Sequence, residues 1–112
     1  MTIYSQPEKY GLATIGEIDW SDGNYQFDLT VVWKRESDGA FVYGEGAGCS
    51  CPEPFDDFGM NDLIKLRKIG GLEDFKTHCS DRQAGIDRWS YPEDRRAETV
   101  ALLERMYAEG AR

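Results

Sequence analysis

Histidine is nearly absent from this sequence, which contains a single one, His78. Hydrolytic catalysis requires a nucleophile, a base and an orienting group that converge in space, and histidine is the usual base. The neighbouring Cys79 is a poor partner, because adjacent side chains on a helix point apart, and no recognised motif connects His78 with Cys49 or Cys51. The sequence therefore favours a protein without catalytic activity.

Long apolar runs are also missing. No stretch approaches the roughly 18 residues of a membrane-spanning helix, and residues 1–8 contain no basic region followed by an apolar one. We expect a cytoplasmic protein with no membrane contact. A chain of 112 residues, 40% of them hydrophobic, has enough apolar material for one core, which predicts a single domain over residues 1–112.

Two common ligand-binding motifs are absent as well. The glycines of residues 44–48 are not followed by the lysine and the serine or threonine of a phosphate-binding loop. The acidic clusters at residues 19–22 and 56–57 lack the ordered oxygen spacing of an EF-hand. Neither phosphate nor calcium binding is supported.

Basic side chains are scarce in the first half of the chain. Residues 1–62 contain three basic and twelve acidic side chains, residues 63–112 contain ten and nine, and the formal net charge is −8. Affinity for nucleic acid comes largely from lysine and arginine, so we expect no direct nucleic-acid binding. The acidity has two interpretations, a solvated surface that aids solubility or a docking face for a basic partner.

Alternation of apolar and polar residues predicts a three-stranded antiparallel β-meander. The strands are expected at residues 12–19, 25–34 and 40–45, joined by turns that contain Ser-Asp-Gly. The second strand alternates so that one face should be core and the other mostly solvent-exposed. Glycine weakens strand packing, so the run at residues 44–48 predicts the end of the sheet.

Helical spacing begins only after the last of these strands. Two short helices are expected at about residues 61–68 and 72–79, and a C-terminal helix over about residues 91–109 should pack on the sheet. Ser90 and Glu93 have the spacing of a capping box at the start of the last helix. The predicted fold class is α+β, with residues 1–10 as a loosely ordered lead-in.

A meander of three strands leaves two free sheet edges. Such edges must be covered, blunted by charge or paired with another chain. One hypothesis is therefore a homodimer that forms through a sheet edge.

The least ordinary segment is residues 46–58, Gly-Ala-Gly-Cys-Ser-Cys-Pro-Glu-Pro-Phe-Asp-Asp-Phe. Its Gly-Cys-Ser-Cys-Pro sequence and the following Pro-Phe-Asp-Asp-Phe, just after a predicted β-meander that contains tryptophan, resemble an uncharacterised family of small proteins encoded by phages of actinobacteria. The resemblance covers roughly the middle half of the chain. It implies a phage origin and a shared fold, and it supplies no catalytic residues.

The three cysteines have three interpretations. In the first, Cys49 and Cys51 project to the same side of an extended segment and form a zinc site with Cys79 and His78, or with Asp56 or water as the fourth ligand. In the second, all three are small buried apolar side chains. In the third, Cys49 and Cys51 form a reversible disulfide, which a reducing compartment opposes.

Phe55, Asp56, Asp57 and Phe58 form a second candidate site. In one interpretation the two rings fill the seam between sheet and helices while the aspartates face solvent. In the other, the loop is an exposed aromatic and acidic binding site. The sequence as a whole favours a non-enzymatic, acidic, phage-type accessory protein that binds another protein, such as one of a bacterial host. The alternatives are a small metal-binding or thiol-dependent protein and an acidic decoy that mimics nucleic acid.

Overall fold

The computed structural model describes residues 2–23, 26–49 and 53–112, and for Cys49 it describes the backbone alone. The strands are β1 (Leu12–Asp19), β2 (Gln26–Arg35), β3 (Phe41–Cys49) and β4 (Arg67–Lys68). The α-helices are α1 (Leu72–Arg88) and α2 (Arg96–Ala108), and two short 3₁₀ helices span Pro7–Tyr10 and Met60–Lys65. The predicted α+β class is confirmed.

The sheet has four antiparallel strands in the order β1-β2-β3-β4, so the prediction of three strands is wrong. The helix expected at residues 61–68 is replaced by the second 3₁₀ helix and β4. Leu63 and Leu66 pack on one face of the sheet, whereas Ile69 packs on the opposite face. A single helix could not place Leu66 and Ile69 on opposite faces of the sheet. The chain instead passes from one face to the other along the edge of the sheet, where it pairs with β3 as β4.

Both faces of the sheet are covered. Helices α1 and α2 cover the helix face, and the N-terminal segment together with residues 53–66 covers the loop face. The helix-face cluster contains Ile18, Trp20, Val32, Tyr43, Phe75, Cys79, Leu102, Met106 and Ala111. The loop-face cluster contains Ile3, Leu12, Leu29, Val31, Trp33 and Val42. The expected solvent-exposed face of β2 is wrong, because Thr30 and Val32 on that face are completely buried.

Strand β1 changes faces part-way along its length. Leu12 packs in the loop-face cluster and Ile18 in the helix-face cluster, although regular alternation would place both on the same face. The register shifts between Thr14 and Gly16, which leaves Ile15 without a partner on β2. This β-bulge reverses the alternation, so that one strand contributes to both clusters.

Helix α1 is longer than the predicted helix at residues 72–79 and continues to Arg88. Phe75, Cys79 and Gln83 recur at intervals of four residues and are all buried, so the side that packs against the sheet and α2 extends past the predicted end. Among the described residues, no helix is both long enough and apolar enough to span a membrane.

The buried side chain of Gln83 determines where α2 begins. Its Nε2 donates to Glu93 O (2.9 Å), and its Oε1 accepts from Arg95 N (2.8 Å). These bonds engage the segment before α2, so the helix begins at Arg96 instead of near residue 91. The predicted capping box is wrong, since Ser90 lies in the left-handed region with a φ of 59°.

Residues 2–10 pack against the sheet and the segment that follows β3. Ile3 is fully buried, and Thr2 Oγ1 donates to Glu53 Oε1 (3.0 Å). The Tyr4 hydroxyl donates to Glu17 Oε1 (2.7 Å). Burial and this hydrogen bond raise the pKa of Tyr4 to about 12. This segment therefore covers part of the loop face of the sheet.

Candidate functional site

Three glycines make one side of β3 flat. Gly44, Gly46 and Gly48 alternate with Glu45 and Ala47, so the glycines lie on the loop face and the other two residues on the helix face. Each glycine has a partner on β2. The prediction that the sheet ends at these glycines is therefore wrong, and aromatic rings provide the packing that glycine cannot.

The ring of Phe55 covers this flat side. A Cβ on Gly46 would stand 3.2 Å from Phe55 Cζ, and a Cβ on Gly44 would stand 3.2 Å from Trp33 Cζ3. Phe55 also contacts Trp33 edge to face, with ring centroids 5.6 Å apart, and stacks on Tyr4. Its φ of 63° is rare for a residue with a side chain. We infer that packing of the ring stabilises this backbone conformation.

A groove opens between the glycine side of β3 and the segment of residues 53–65. We call it the loop-side groove. Its floor consists of Gly46, Gly48 and the rings of Phe27, Phe55 and Phe58. Its charged lining consists of five carboxylates and one lysine, namely Glu45, Glu53, Asp56, Asp57, Asp62 and Lys65.

Two of these carboxylates have partners within the loop side. Hydrogen bonds from Ser5 and Thr2 lower the pKa of Glu53. Asp62 accepts from the backbone N–H of Gly59 and pairs with Lys65 at 2.8 Å, and these contacts lower its pKa. Asp56 and Asp57 are exposed, and no cation in the described part of the chain pairs with either. They remain available to a ligand.

A second groove lies on the helix face of β3 beside α1. We call it the helix-side groove. Its aromatic lining is Trp20, Phe27, Trp89 and Tyr91, and its charged lining is Asp22, Asp28, Asp81, Arg82 and Glu93. Trp89 is 72% exposed and Tyr91 is 62% exposed. Two large aromatic side chains therefore present most of their surface to solvent at this groove.

Arg82 connects the helix-side groove to β3. Its guanidinium lies 2.8 Å from Asp28 Oδ1 and 3.0 Å from Glu45 Oε2, and it packs 5.4 Å from the Trp20 ring centroid. His78 Nε2 lies 2.8 Å from Glu45 Oε1 but without hydrogen-bond geometry. The Arg82 guanidinium holds the Glu45 side chain against the helix, away from the outer edge of the strand.

Strand β3 extends beyond its outer neighbour. Strand β4 pairs with two residues of β3, so among the residues that the structure describes none pairs with the outer side of Glu45 or Ala47. Ile69 N donates to Phe41 O (2.8 Å), which indicates that odd-numbered residues of β3 direct their main-chain groups outward. Glu45 is exposed when the whole residue is considered, although its side chain alone is only 30% exposed. Its main chain therefore accounts for part of the exposed surface.

The model of a family described as "Domain of unknown function (DUF7574)" matches residues 1–109 of this chain. The chain belongs to the DUF7574 family. The match includes the loop-face cluster, both grooves, the free edge of β3 and every member of the helix-face cluster except Ala111. No curated protein matches the chain, and no solved structure matches it.

The zinc ligands predicted for this DUF7574 protein are not brought together in the part that the structure describes. Cys51 and the side chain of Cys49 lie outside that part. Cys79 is 1% exposed, and burial, followed by the charge of Glu45, raises the pKa of its thiol to about 11. Thiolate is the form that binds zinc, so zinc binding at Cys79 would require the loss of this proton. No metal-binding group of three or more His, Cys, Asp and Glu side chains occurs among the described residues.

Zinc binding by Cys49 and Cys51 thus stays a prediction. Native mass spectrometry of the DUF7574 protein, purified under reducing conditions without chelator, tests it directly. If zinc binds at these two cysteines, a zinc-sized mass increment should disappear in Cys49→Ser and persist in Cys79→Ala.

The predicted interaction loop combines parts of both interpretations. Phe55 and Phe58 are half-buried on the loop-face cluster, with ring centroids 6.2 Å apart. They fill a seam between the sheet and the loop, not the predicted seam between the sheet and the helices. Asp56 and Asp57 are exposed beside them. The loop of the DUF7574 protein is therefore packed and acidic at the same time.

Several residues of the two grooves were not predicted from the sequence. The glycines of β3 could have been recognised in the sequence, because glycine at every second residue of a strand leaves one side of the strand without side chains. Phe27 alternated with its neighbours as an ordinary core residue. Trp89 and Tyr91 follow α1, and they could not be placed because the predicted helix ended too early.

Proposed function

We propose that this DUF7574 protein is a non-enzymatic, phage-encoded accessory protein that binds an extended segment of a host protein along the free edge of β3. The observation that carries the proposal is the outward main chain of Glu45 and Ala47, which lacks a strand partner among the described residues. An extended peptide that adds to such an edge gains main-chain hydrogen bonds.

The two outer edges of the sheet differ in a way that supports this proposal. Proteins blunt free edges with bulges, proline, charged side chains or covering segments. Strand β1 has a bulge at Ile15. The corresponding stretch of β3 has glycine and alanine, and α1 holds the one charged side chain, Glu45, away from the edge. This edge is therefore suited to pairing with another chain.

The resemblance of residues 48–52 and 54–58 to small phage proteins supports the phage origin and a partner in the host. The exposed aromatic rings beside the edge support binding as well, because tryptophan and tyrosine are enriched where binding energy concentrates. Trp89 and Tyr91 are large exposed rings beside β3.

Selection from a display library of random peptides of about ten residues, the upper end of the usual range of strand lengths, tests the proposal. The enriched peptides are then added to ¹⁵N-labelled protein, and amide hydrogen exchange is measured. We expect the amides of Glu45 and Ala47 to exchange more slowly in the complex, because they donate to the added strand.

Ala47→Pro provides an independent test of the same edge. Proline is tolerated on an edge strand where its missing N–H faces outward, so the pairing of β3 with β2 should persist. We expect peptide affinity to fall about tenfold or more, which corresponds to loss of one or two hydrogen bonds and some steric interference. Far-ultraviolet circular dichroism checks that the variant is folded. Protection confined to other amides, or no enriched peptide, would overturn the proposal.

A further inference from the structure

We infer that the segment bound at β3 is basic, with lysine or arginine side chains that enter the loop-side groove and the helix-side groove alternately. This inference rests on the proposed function, because it assigns a chemistry to the occupant of the same edge. It follows from the position of the two grooves and from the charges that line them.

The two grooves lie on opposite faces of the same strand. Gly46 lines only the loop-side groove and Arg82 only the helix-side groove, whereas Phe27, Ala47 and Gly48 line both, so the two grooves meet at the end of β3. Successive side chains of a strand point to opposite faces of the sheet. A strand paired with the outer edge of β3 would therefore send alternate side chains into the two grooves.

The charge of both grooves is strongly negative. Seven of the twelve carboxylates of residues 1–62 line one groove or the other, and residues 63–112 add Asp81 and Glu93. Lys65 and Arg82 are the cations in these linings, and both already pair with carboxylates. The acidity of the first half of the chain is thus concentrated on both sides of the free edge.

Each groove also offers aromatic surface beside its acidic groups. In the loop-side groove, Phe55 and Phe58 lie next to Asp56 and Asp57. In the helix-side groove, the exposed ring of Trp89 shares the lining with Asp81 and Glu93. A cation near an aromatic face is attracted by the ring, and a nearby carboxylate adds an ion pair. Arg82 already makes this combination with Trp20 and Asp28.

The same charges argue against a second copy of this chain as the occupant. Pairing of β3 with β3 of another copy would bring two acidic grooves together on each face of the joined sheet. Each copy carries a formal net charge of −8. Like charges placed opposite one another in an interface are unfavourable, whereas a basic segment neutralises them.

The test uses three double variants with equal charge change and measures the affinity of the enriched peptides for each. Asp56→Asn/Asp57→Asn changes the loop-side groove, and Asp81→Asn/Glu93→Gln changes the helix-side groove. Glu36→Gln/Glu98→Gln is the control, because both residues are exposed and lie outside the two groove linings.

We expect the enriched peptides to carry lysine or arginine at both odd-numbered and even-numbered positions. Each groove variant should weaken binding about threefold to tenfold, as expected for the loss of one or two exposed ion pairs, and the control should change it less than twofold. Higher salt should weaken binding to the unchanged protein, because these charges are solvent-accessible.

The outcomes separate this inference from the proposed function. Peptides that protect Glu45 and Ala47 but are uncharged or acidic would overturn the inference and leave strand addition standing. Equal weakening by the control variant would overturn the assignment of the charges to the grooves. A concentration-dependent dimer with protection at β3 would replace the basic segment with a second copy. Absence of any protected edge amide would overturn both proposals.

Discussion

The ring of Phe55 lies so close to the main chain of Gly46 that a side chain at this position would displace the ring. A Cβ at that position would stand 3.2 to 3.4 Å from three ring atoms. Valine favours strands more than glycine does, yet we expect Gly46→Val to lower the free energy of unfolding by about 1–3 kcal/mol because the ring is displaced. Chemical denaturation measures the difference.

The matched control for this substitution is the next residue. Ala47 is exposed and lies on the opposite face of β3, so we expect Ala47→Val to change the free energy of unfolding by less than about 0.5 kcal/mol. Equal destabilisation by both substitutions would contradict the packing of Phe55 on the glycine side.

Gly16 allows α2 to approach β1 closely. A Cβ on Gly16 would stand 2.8 Å from Leu102 Cδ1, whereas nothing lies within 4 Å of a Cβ on Gly85 in α1. We expect Gly16→Ala to lower the free energy of unfolding by about 1–3 kcal/mol. Gly85→Ala should raise it by about 0.5–1 kcal/mol, since alanine favours a helix interior. Urea titrations that gave the same sign for both variants would refute this difference.

The Cys79 thiol links the stability of the protein to alkaline pH. Burial raises its pKa from 9.0 to about 11 in the folded protein. The thiol therefore ionises first in the unfolded chain, so its contribution is complete below pH 9 and is lost as the pH rises towards 11. We expect a decrease in the free energy of unfolding of about 1–2 kcal/mol over this range from this group.

Comparison with Cys79→Ala isolates this contribution, because other groups titrate equally in both proteins. The variant should be less stable at pH 7 and should lose stability less steeply between pH 9 and pH 11. Parallel curves for the two proteins would show that the thiol is not responsible.

Arg82 pairs with Asp28 and Glu45 and also covers Trp20. Arg82→Met keeps an apolar stem on the ring but leaves two carboxylates without their cation. We expect the free energy of unfolding to fall by about 1 kcal/mol, because the three side chains are partly exposed. The difference should shrink in high salt, which screens such charges. If the difference in free energy of unfolding between the two proteins were the same in low and high salt, the loss of stability would come from packing and not from charge.

Local alternation was sufficient to predict the first two strands of this fold. The expected bounds of the first strand, 12–19, coincide with Leu12–Asp19, and those of the second are displaced by one residue. The positions of these strands depend on the spacing of neighbouring side chains. Strand β4 has two residues and no period, and it exists because its main chain pairs with β3. No local signal could predict it.

The contacts that shape the ends of elements come from distant residues. Gln83 engages residues 93 and 95, and it thereby shifts the start of α2. Phe55 supplies the packing of the glycine side of β3, and it does so from a loop that follows the strand. The aromatic and acidic residues of the loop could be selected from the sequence, but the free edge between the two grooves required the register of the sheet.

The β-bulge at Ile15 reverses which positions of β1 face the helices and which face the loops. Before it, the even-numbered Leu12 faces the loops, and after it the even-numbered Ile18 faces the helices. Removing that one residue would exchange the faces of the preceding part of the strand and bring Leu12 under the helices. In an alignment of DUF7574 sequences, a single-residue gap at this position would therefore mark a different arrangement of the N-terminal segment, even where every neighbouring residue type was retained.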